Sequence, residues 1–567
     1  MLRWAFILGV ASTFATACKQ PSTLAGEPAD LALRNGRIVT LDDGSPEAQA
    51  LAAKGGRILA VGTNAEISRH VGAATQVIDL QGALAIPGFI EGHGHFMGIG
   101  DAKLQLDLMN VRNWDEIVSM VQVAAKSAKP GQLIRGRGWH QEKWDRVPEG
   151  AIEGIPTHQY LSEVSPKNPV VLRHASGHAS FANAKAMEMA GIDRHTPDPP
   201  GGTILRDKNG DPTGYFRETA AGLLGKAAAA AVPLDPRKIA RAAIEEVLSK
   251  GITSFQDAGS SYGDIELFKA LADEGRLGVR LWVMIRESNE RMRGRLARDR
   301  IIGYANHQLT VRAIKRSIDG ALGSHGAWLL APYEDLPTSA GLNTTPVEEI
   351  DDTAKLAFEN DFQLCVHAIG DRGNRETLDL FERACRGRRD VRWRVEHAQH
   401  LDPADIPRFA KMGVIASMQG NHCTSDGPWV PTRIGARRSE EGAYVWRSLL
   451  DSGAVVINGT DAPVEPVSPL GSYFASVTRI MRGGAAFYPK QCMTRVEALR
   501  SYTLSAAYGA FEEELKGSLT PGKLADVTVL SKDILKIPAD EIPGVEVLYT
   551  IVGGRVLYSR GGGVKVP

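Results

Sequence analysis

The stretch IPGFIEGHGH, residues 86–95, combines an apolar run with two histidines spaced by two, His93 and His95. In a β-strand, side chains at i and i+2 lie on the same face, so the two imidazoles can converge on one point. Glycines on either side of His93 keep bulk away and let the backbone bend at the strand end. Two neutral imidazoles there suit a divalent transition metal such as zinc, whereas an isolated pair can also be polar residues in a loop. The rest of the chain must decide between them.

Strand-like runs and helical stretches alternate along the chain after this point. Counting the His-x-His strand, eight runs are short and apolar, at residues 86–95, 252–256, 279–285, 309–314, 362–367, 391–397, 414–418 and 455–460. Eight β-α repeats predict parallel strands that close into an α/β fold of the (β/α)8 TIM-barrel type. Such barrels carry their catalytic groups at the C-terminal ends of the strands.

Two parts of the chain fall outside this repeat. Short strands with similar composition at 30–87 and 512–560 predict one small composite β-sandwich, formed by both termini beside a barrel domain at 88–511. Residues 100–250, between the first and second barrel strands, are far too long for a βα loop. We expect this insertion to be a cap that shapes the substrate pocket.

Charge and composition exclude some classes of function. The 567 residues include 66 basic and 66 acidic side chains, with no long run of one sign. This balance argues against a nucleic-acid partner and against an anionic membrane surface, because both need a basic excess. The expected partner is a small-molecule substrate.

The N-terminus has the features of an export signal. Arg3 precedes an uncharged, mostly apolar stretch at 4–17, which is too short to span a bilayer and predicts a signal peptide over residues 1–18. Cys18 follows two small residues as in a bacterial lipoprotein box. We therefore expect an exported protein of the bacterial cell envelope, either attached to the membrane through a lipid on Cys18 or periplasmic or secreted with an incidental cysteine.

Metal-ligating residue types recur at the ends of the predicted barrel strands. Strands four, five, six and eight lead to Lys315, His367, His397 and Asp461. Taken alone, each histidine has a simple interpretation as a hydrogen-bonded core residue, and the lysine as a surface residue. Together with the His-x-His pair they would meet at one end of the barrel, which predicts a shared metal site.

These residues, in this order, resemble the amidohydrolase superfamily of metal-dependent hydrolases. More narrowly, the chain resembles the amidohydrolase-3 group, which includes the N-substituted formamide deformylases. The matching segments include DGALGS at 319–324, VEHAQ at 395–399, TDAPV at 460–464 and GSLTPGKLAD at 517–526. The resemblance extends over essentially the whole chain after the export signal, and it too implies the barrel and the composite sandwich.

The resemblance implies two divalent ions, with zinc as the expected metal, although manganese, cobalt or iron would suit the same ligands. The implied ligands are His93, His95 and Asp461 for one ion, His367 and His397 for the other, and Lys315 as a bridge. A lysine can bridge two cations only after carboxylation by CO2 to an anionic carbamate, which needs a neutral amine. An unmodified lysine at a mononuclear site is the alternative.

The implied reaction is hydrolysis of an amide-type C–N bond by a metal-activated hydroxide, with Asp461 as general base and acid. His178 in the cap and His422 after strand seven are candidate substrate contacts. Hydrolysis of an ester, a lactone or a cyclic amidine or imidazole-type bond at the same site is an alternative. A solute-binding lipoprotein without turnover is a further one. A homodimer is expected, while the sequence does not identify the substrate.

Overall fold

The computed structural model describes residues 27–141, 144–175, 177, 179–200, 202–229 and 235–566. The predicted export signal with Cys18, and the predicted substrate contact His178, lie outside these residues. Within the described ranges, no helix combines the length and the apolar character that a membrane span requires.

The described strands form four sheets. In chain order they are β1 (Leu31–Arg34), β2 (Arg37–Val39), β3 (Glu47–Ala48), β4 (Ala50–Lys54), β5 (Arg57–Gly62), β6 (Gln76–Asp79), β7 (Leu84–Pro87), β8 (Phe89–Gly94), β9 (Leu106–Asp107), β10 (Ile134–Trp139), β11 (Val170–His174), β12 (Ala179–Ala182), β13 (Gly202–Arg206), β14 (Pro212–Glu218), β15 (Ile252–Ser260), β16 (Arg280–Ile285), β17 (Ile301–Gly303), β18 (Leu309–Ser317), β19 (Gln363–Ala368), β20 (Arg394–His397), β21 (Ile415–Gln419), β22 (Val456–Gly459), β23 (Val527–Leu530), β24 (Val547–Val552), β25 (Arg555–Ser559) and β26 (Gly563–Val564).

The described α-helices mostly separate the barrel strands or support the insertion. They are α1 (Asn64–Ser68), α2 (Phe96–Lys103), α3 (Trp114–Ser127), α4 (Gln159–Val164), α5 (Ala184–Ala190), α6 (Gly225–Ala229), α7 (Pro236–Ser249), α8 (Tyr262–Asp273), α9 (Asn289–Met292), α10 (Leu296–Asp299), α11 (Tyr304–His307), α12 (Val347–Glu359), α13 (Asp371–Cys385), α14 (Ile406–Met412), α15 (Gly420–Asp426), α16 (Val430–Gly442), α17 (Trp446–Asp451), α18 (Pro469–Thr478), α19 (Arg495–Ser501) and α20 (Leu504–Gly509).

Eight parallel strands form a nearly closed barrel in the order β8, β15, β16, β18, β19, β20, β21 and β22, with β17 antiparallel beside β18. Each overlaps one of the eight predicted runs, so the predicted α/β barrel is confirmed. The first and last strands approach closely because both carry glycine. A Cβ on Gly92 would lie 2.4 Å from the Asn458 carbonyl oxygen, and one on Gly459 would lie 2.5 Å from the His93 nitrogen.

The stretch at 86–95 belongs to two sheets, where the sequence predicted one strand. β7 ends at Pro87 and pairs antiparallel with β23, whereas β8 begins at Phe89 in the barrel. Gly88 separates them, and a Cβ there would lie 2.2 Å from Thr253 Oγ1. His95 lies just beyond β8, as the residue before α2. The glycine at 88 thus lets the chain pass from one sheet into the barrel wall at close contact.

The two ends of the chain meet in one seven-stranded sheet. Its order is β26-β25-β24-β23-β7-β2-β3, so four C-terminal strands lie beside three N-terminal strands, and β23 pairs with β7 where the two sets meet. A separate four-stranded sheet, in the order β5-β4-β1-β6, consists of N-terminal strands only. Apolar side chains of both sheets, among them Leu33, Leu51, Val527 and Val529, share one buried cluster.

The insertion after the first barrel strand contains a six-stranded mixed sheet, β13-β14-β12-β11-β10-β9. Its helix α3 begins at Trp114, where the Asn113 side chain accepts the N–H of Glu116 at 3.0 Å. The edge strand β9 contacts α2, the helix that starts directly after His95. We call this region, residues 100–250, the cap, and α2 connects it to the barrel end.

Candidate metal centre

All six predicted ligands lie at or just beyond the C-terminal ends of barrel strands. They are His93 in β8, His95 just after it, Lys315 in β18, His367 in β19, His397 at the end of β20, and Asp461 two residues after β22. Parallel strands of a barrel share this end, so the topology brings together side chains that are hundreds of residues apart in sequence.

Asp461 is the residue on which the nearby imidazoles converge. Its Oδ1 lies 3.1 Å from His95 Nε2 and 3.5 Å from His93 Nε2, and its Oδ2 lies 3.8 Å from His422 Nε2. Donor atoms of His93, His95 and Asp461 lie within 4.8 Å of one another, and so do those of His397, His422 and Asp461. Asp461 is therefore common to two groups of candidate ligands.

The histidine rings form a continuous cluster across the barrel end. The ring centroids of His93 and His397 are 4.7 Å apart, and those of His397 and His367 are 4.5 Å apart. His367 Nε2 also lies 3.5 Å from Asp319 Oδ1. The two pairs that the sequence assigned to separate ions are thus neighbours.

Hydrogen bonds from outside the cluster determine which nitrogen of each ring faces its centre. His93 Nδ1 bonds to the Glu396 carboxylate, and His397 Nδ1 donates to Gln419 Oε1 at 2.7 Å. The Nε2 atoms of these two rings are therefore lone-pair donors, which is the tautomer that ligates a metal. His422 differs, because Gln399 Nε2 donates to its Nδ1 at 3.1 Å. Its Nε2 then carries the proton and is a hydrogen-bond donor towards the site.

Several of these inward-facing atoms lack an ordinary partner. Within the described part of the chain, the Nε2 atoms of His93, His367 and His422 are buried and have no hydrogen bond. Buried polar atoms are normally satisfied, so a group of unpaired imidazole nitrogens beside a carboxylate is unusual. Unpaired imidazole nitrogens and a carboxylate are the donor set of zinc and related divalent ions, so these residues fit a metal site.

The electrostatics favour neutral imidazoles. Burial, reinforced by the charge of Lys315, lowers the pKa of His93 to about 4 and that of His367 to about 3. Burial, with the neighbouring His367, also holds the pKa of His397 well below its usual range. The rings are therefore unprotonated at neutral pH, which is the form that binds a metal.

Asp461 remains ionised despite its surroundings. Burial alone would raise its pKa, but the adjacent imidazoles of His95 and His93 hold the pKa well below the usual value. Lys315 differs, because the shift of its pKa favours the neutral form. Its side chain is only 3% exposed, and this burial lowers its pKa although Glu396 and Asp461 raise it. The amine is therefore more readily neutral than an exposed lysine would be.

The sequence did not reveal the residues that hold the ligands in place. Glu396 bonds to His93 and also accepts from Arg394, whose Nε lies 2.7 Å from Glu396 Oε1. Arg394 itself is fully buried and donates to the Gly92 carbonyl oxygen at 2.7 Å. The signal for this pair was available, since Arg394 and Glu396 are charges at i and i+2 in a strand that is otherwise buried.

Two further buried acids lie beside the ligands. Asp319 accepts the backbone N–H groups of Trp328, Ile369 and Gly370 at 2.8–3.0 Å, and burial raises its pKa to about 7. It thereby joins the segment after β18 to the end of β19. Glu91, two residues before His93, accepts the N–H of Thr460, and burial raises its pKa to about 8.

Of the two predicted substrate contacts, His422 lies at the site, with its ring stacked 6.0 Å from that of His397. The position of His178 is outside the described residues. The predicted ligands thus all gather at one barrel end, together with one predicted substrate contact.

The chain is similar to known proteins both in sequence and in structure. A model of the amidohydrolase family matches residues 76–558. The chain is 33% identical over 549 residues to the protein LONG AFTER FAR-RED 3 of Arabidopsis thaliana. This alignment covers 94% of this chain and 92% of the plant protein. The chain is 29% identical over 544 residues to the N-substituted formamide deformylase of Arthrobacter pascens, covering 94% of this chain and 99% of that enzyme.

Solved structures give a similar result. The crystal structure of an uncharacterized metal-dependent hydrolase from Pyrococcus furiosus superposes with a TM-score of 0.73 at 26% identity, over 89% of this chain and 100% of that one. The similarity therefore extends over most of this chain and over the whole of the solved one.

Proposed function

The chain belongs to the amidohydrolase family, as a metal-dependent hydrolase of carbon–nitrogen bonds, and on this premise we propose that it cleaves an amide-type C–N bond of a small molecule at a site with two divalent ions. The observation that carries the proposal is the convergence of unpaired imidazole nitrogens on Asp461. They come from the ends of β8 and β20 and from α15, and outside hydrogen bonds to the Nδ1 atoms of His93 and His397 leave the Nε2 atoms of these rings as lone-pair donors.

The proposed ligands of the first ion are His93, His95 and Asp461, and those of the second are His367 and His397. The free Nε2 atoms of His93 and His367 support their assignment. Although His422 also lies near Asp461, at 3.8 Å, its Nδ1 already accepts from Gln399, so we assign His422 to the substrate. We expect zinc, as imidazole and carboxylate ligands suit it.

Lys315 is the proposed bridge between the two ions. In a neutral state, its amine nitrogen forms a bond with the carbon of CO2 and loses a proton, which yields an anionic carbamate with two ligand oxygens. The burial of Lys315 and its lowered pKa support this step, because both increase the neutral fraction of the amine.

When bound, divalent ions lower the pKa of a water molecule to about 7 and polarise the amide carbonyl. Asp461 accepts the proton of the attacking water and passes it to the leaving nitrogen. An ionised carboxylate is required for the first of these transfers, and the low pKa of Asp461 supports that role. His422, which directs an N–H towards the site, donates a hydrogen bond to the substrate carbonyl.

We propose three further properties that rest mainly on the sequence. The two sheets of the terminal strands are one composite β-sandwich, which their shared apolar cluster supports. Residues 1–18 direct export to the cell envelope, with Cys18 as a lipid attachment site. The protein acts as a homodimer on a small-molecule substrate.

Metal analysis and an amide panel test the proposed function. We expect the purified full-length protein to hold two equivalents of metal, and metal removal by a chelator to abolish hydrolysis until zinc is returned. N-formyl, N-acyl and dipeptide-like amides should be cleaved faster than matched esters and lactones. A metal-free protein that binds such compounds without turnover would support the solute-binding alternative instead.

A further inference from the structure

Two arginines of the cap lie side by side on the face that is turned to the barrel end. Arg137 of β10 and Arg173 of β11 are register partners on neighbouring parallel strands, whose backbones lie about 4.8 Å apart. Like charges directly opposite each other on a sheet repel and destabilise it. A pair of this kind therefore needs a compensating negative charge.

The direction of this face follows from a third arginine. Arg135 lies two residues before Arg137, so their side chains share one face of β10. Arg135 Nη2 bonds to Asp101 Oδ1 at 2.7 Å, and Asp101 belongs to α2, which begins directly after His95. The face that carries Arg137 and Arg173 is therefore the one next to the metal centre.

No side chain of the described residues neutralises Arg137. Its Nε is buried and has no hydrogen-bond partner there. Burial and the charge of Arg173 lower the pKa of Arg137, while the carboxylates of Asp461 and Asp101 act in the opposite direction. Asp101 is already paired with Arg135, and Asp461 is the proposed ligand and proton carrier. The guanidinium is thus within electrostatic reach of the reaction centre, yet among the described residues no carboxylate is left to pair with it.

Arg173 is the outer member of the pair. Its side chain is exposed, and its Nη2 donates a long bond of 3.4 Å to the Gly177 carbonyl oxygen. An anion entering from solvent would meet Arg173 first and Arg137 nearer the metal. Two guanidinium groups offer paired N–H donors, which match the geometry of a carboxylate.

We propose that Arg137 and Arg173 form a subsite for a carboxylate of the substrate, so that the preferred substrates are anionic amides such as N-acylated amino acids. This inference rests on the proposed function and names its substrate class. The carboxylate belongs either to the amine half or to the acyl half of the amide, because both place an anion beside the scissile bond.

Matched substrates test the subsite with the metal-loaded, full-length protein. One pair is an N-acyl amino acid and its carboxamide, and the other is an N-(carboxyacyl)amine and its carboxamide. In each pair, the ratio of the two kcat/KM values measures the preference for the anion. We expect a ratio of at least about 10 for one pair, because hydrogen bonds to charged groups are the strong ones. That pair identifies the half that carries the carboxylate.

The variants R137Q and R173Q should lower this ratio at least about tenfold, mainly through a higher KM, since the contact exists before the transition state. R137K should lower it less, because lysine keeps the charge but not the paired donors. The control is R146Q, since Arg146 is an exposed cap arginine paired with Asp115 and Asp145. A ratio near one in the wild type, or equal ratios in R137Q and R146Q, would overturn the subsite.

Calorimetry separates this inference from the proposed function. If the protein cleaves none of the amides, the proposed function fails, and binding of the N-acyl amino acid then decides the subsite. We expect R137Q to bind it at least about tenfold more weakly than R146Q does, and equal affinities would contradict the inference. If R137Q does not fold, R173Q and R137K provide the same comparison.

Discussion

The charged side chains of the barrel end and those of the cap differ in whether the protein supplies a partner of opposite charge. At the barrel end, the two central carboxylates have partners in the protein interior: Glu396 binds Arg394 and His93, and Asp461 contacts His93 and His95. In the cap, Arg137 lies next to Arg173 and has no carboxylate of its own among the described residues. Protein side chains thus partner the charges of the first region, whereas the proposed substrate carboxylate would partner those of the second.

This difference separates the chemistry of the enzyme from its selectivity. Ligands on strand ends are held by the barrel itself, so their positions vary little with the cap. A cap is an insertion, and its sheet can present other side chains to the same reaction centre. We infer that relatives with the same ligands but different cap residues act on different amides.

Replacing the shared carboxylate should have the largest effect. Asp461→Asn keeps an oxygen that can face the metal but cannot carry the proton, so we expect kcat to fall by about 10³–10⁴-fold while metal content stays near that of the wild type. Steady-state kinetics and metal analysis measure both. As a control, Asp451→Asn alters an exposed acid on α17 that pairs with Arg447. Wild-type turnover in D461N would remove the proton-transfer role of Asp461.

The sequence allowed the barrel and its ligands to be predicted because each follows from a local pattern. Alternation within an apolar run indicated where His93 and His95 would face, and the β-α repeat placed His367 and His397 at the same end. The supporting partners do not follow from such patterns. Nothing in the sequence shows that Gln419 Oε1 accepts a hydrogen bond from His397 Nδ1, since that depends on how β20 and β21 are aligned.

The cap arginines could not be predicted for a similar reason. Arg137 and Arg173 are 36 residues apart, and they become neighbours only through the register of β10 against β11. That register shifts after Arg137, where Gly138 has a φ of 109°, and the shift turns Trp139 into the cap core. Bulges of this kind are set by tertiary packing rather than by the local sequence.

Removing the support of His93 should have the next largest effect. Glu396→Gln loses the charge that orients His93 and leaves Arg394 buried without a counter-ion. We expect metal affinity to fall about 10–100-fold and the free energy of unfolding to fall by about 3–5 kcal/mol. Metal titration and chemical denaturation test these two effects. Glu441→Gln, at a solvent-exposed pair with Arg437, should change stability by no more than about 1 kcal/mol. Unchanged metal affinity in E396Q would show that Glu396 does not position the ligand.

The buried histidines of the barrel end should also make the free energy of unfolding depend on pH, which is a smaller effect. In the metal-free protein, His93 and His367 have pKa values of about 4 and about 3, against about 6.5 in the unfolded chain. The unfolded state therefore binds more protons below pH 6.5, and the free energy of unfolding should decrease as the pH falls from about 6.5 towards 3. The slope should be shallower in His93→Gln and unchanged in His195→Gln, which alters an exposed cap histidine. Equal slopes in both variants would contradict the pKa values.

The smallest effect should come from the residue that caps α3, because its loss should lower the stability of the cap and leave the metal centre unchanged. Asn113 accepts the N–H of Glu116 at the start of α3, and its loss leaves that donor unpaired. Asn113→Ala should therefore lower the free energy of unfolding by about 1 kcal/mol without changing metal content. Denaturation and metal analysis check the two expectations, with Asn113→Ser as a conservative variant that restores the helix cap. Since α3 packs within the cap core and contributes no ligand, a loss of metal in N113A would show that the cap and the barrel end are coupled, and the contrast between the two regions would then be wrong.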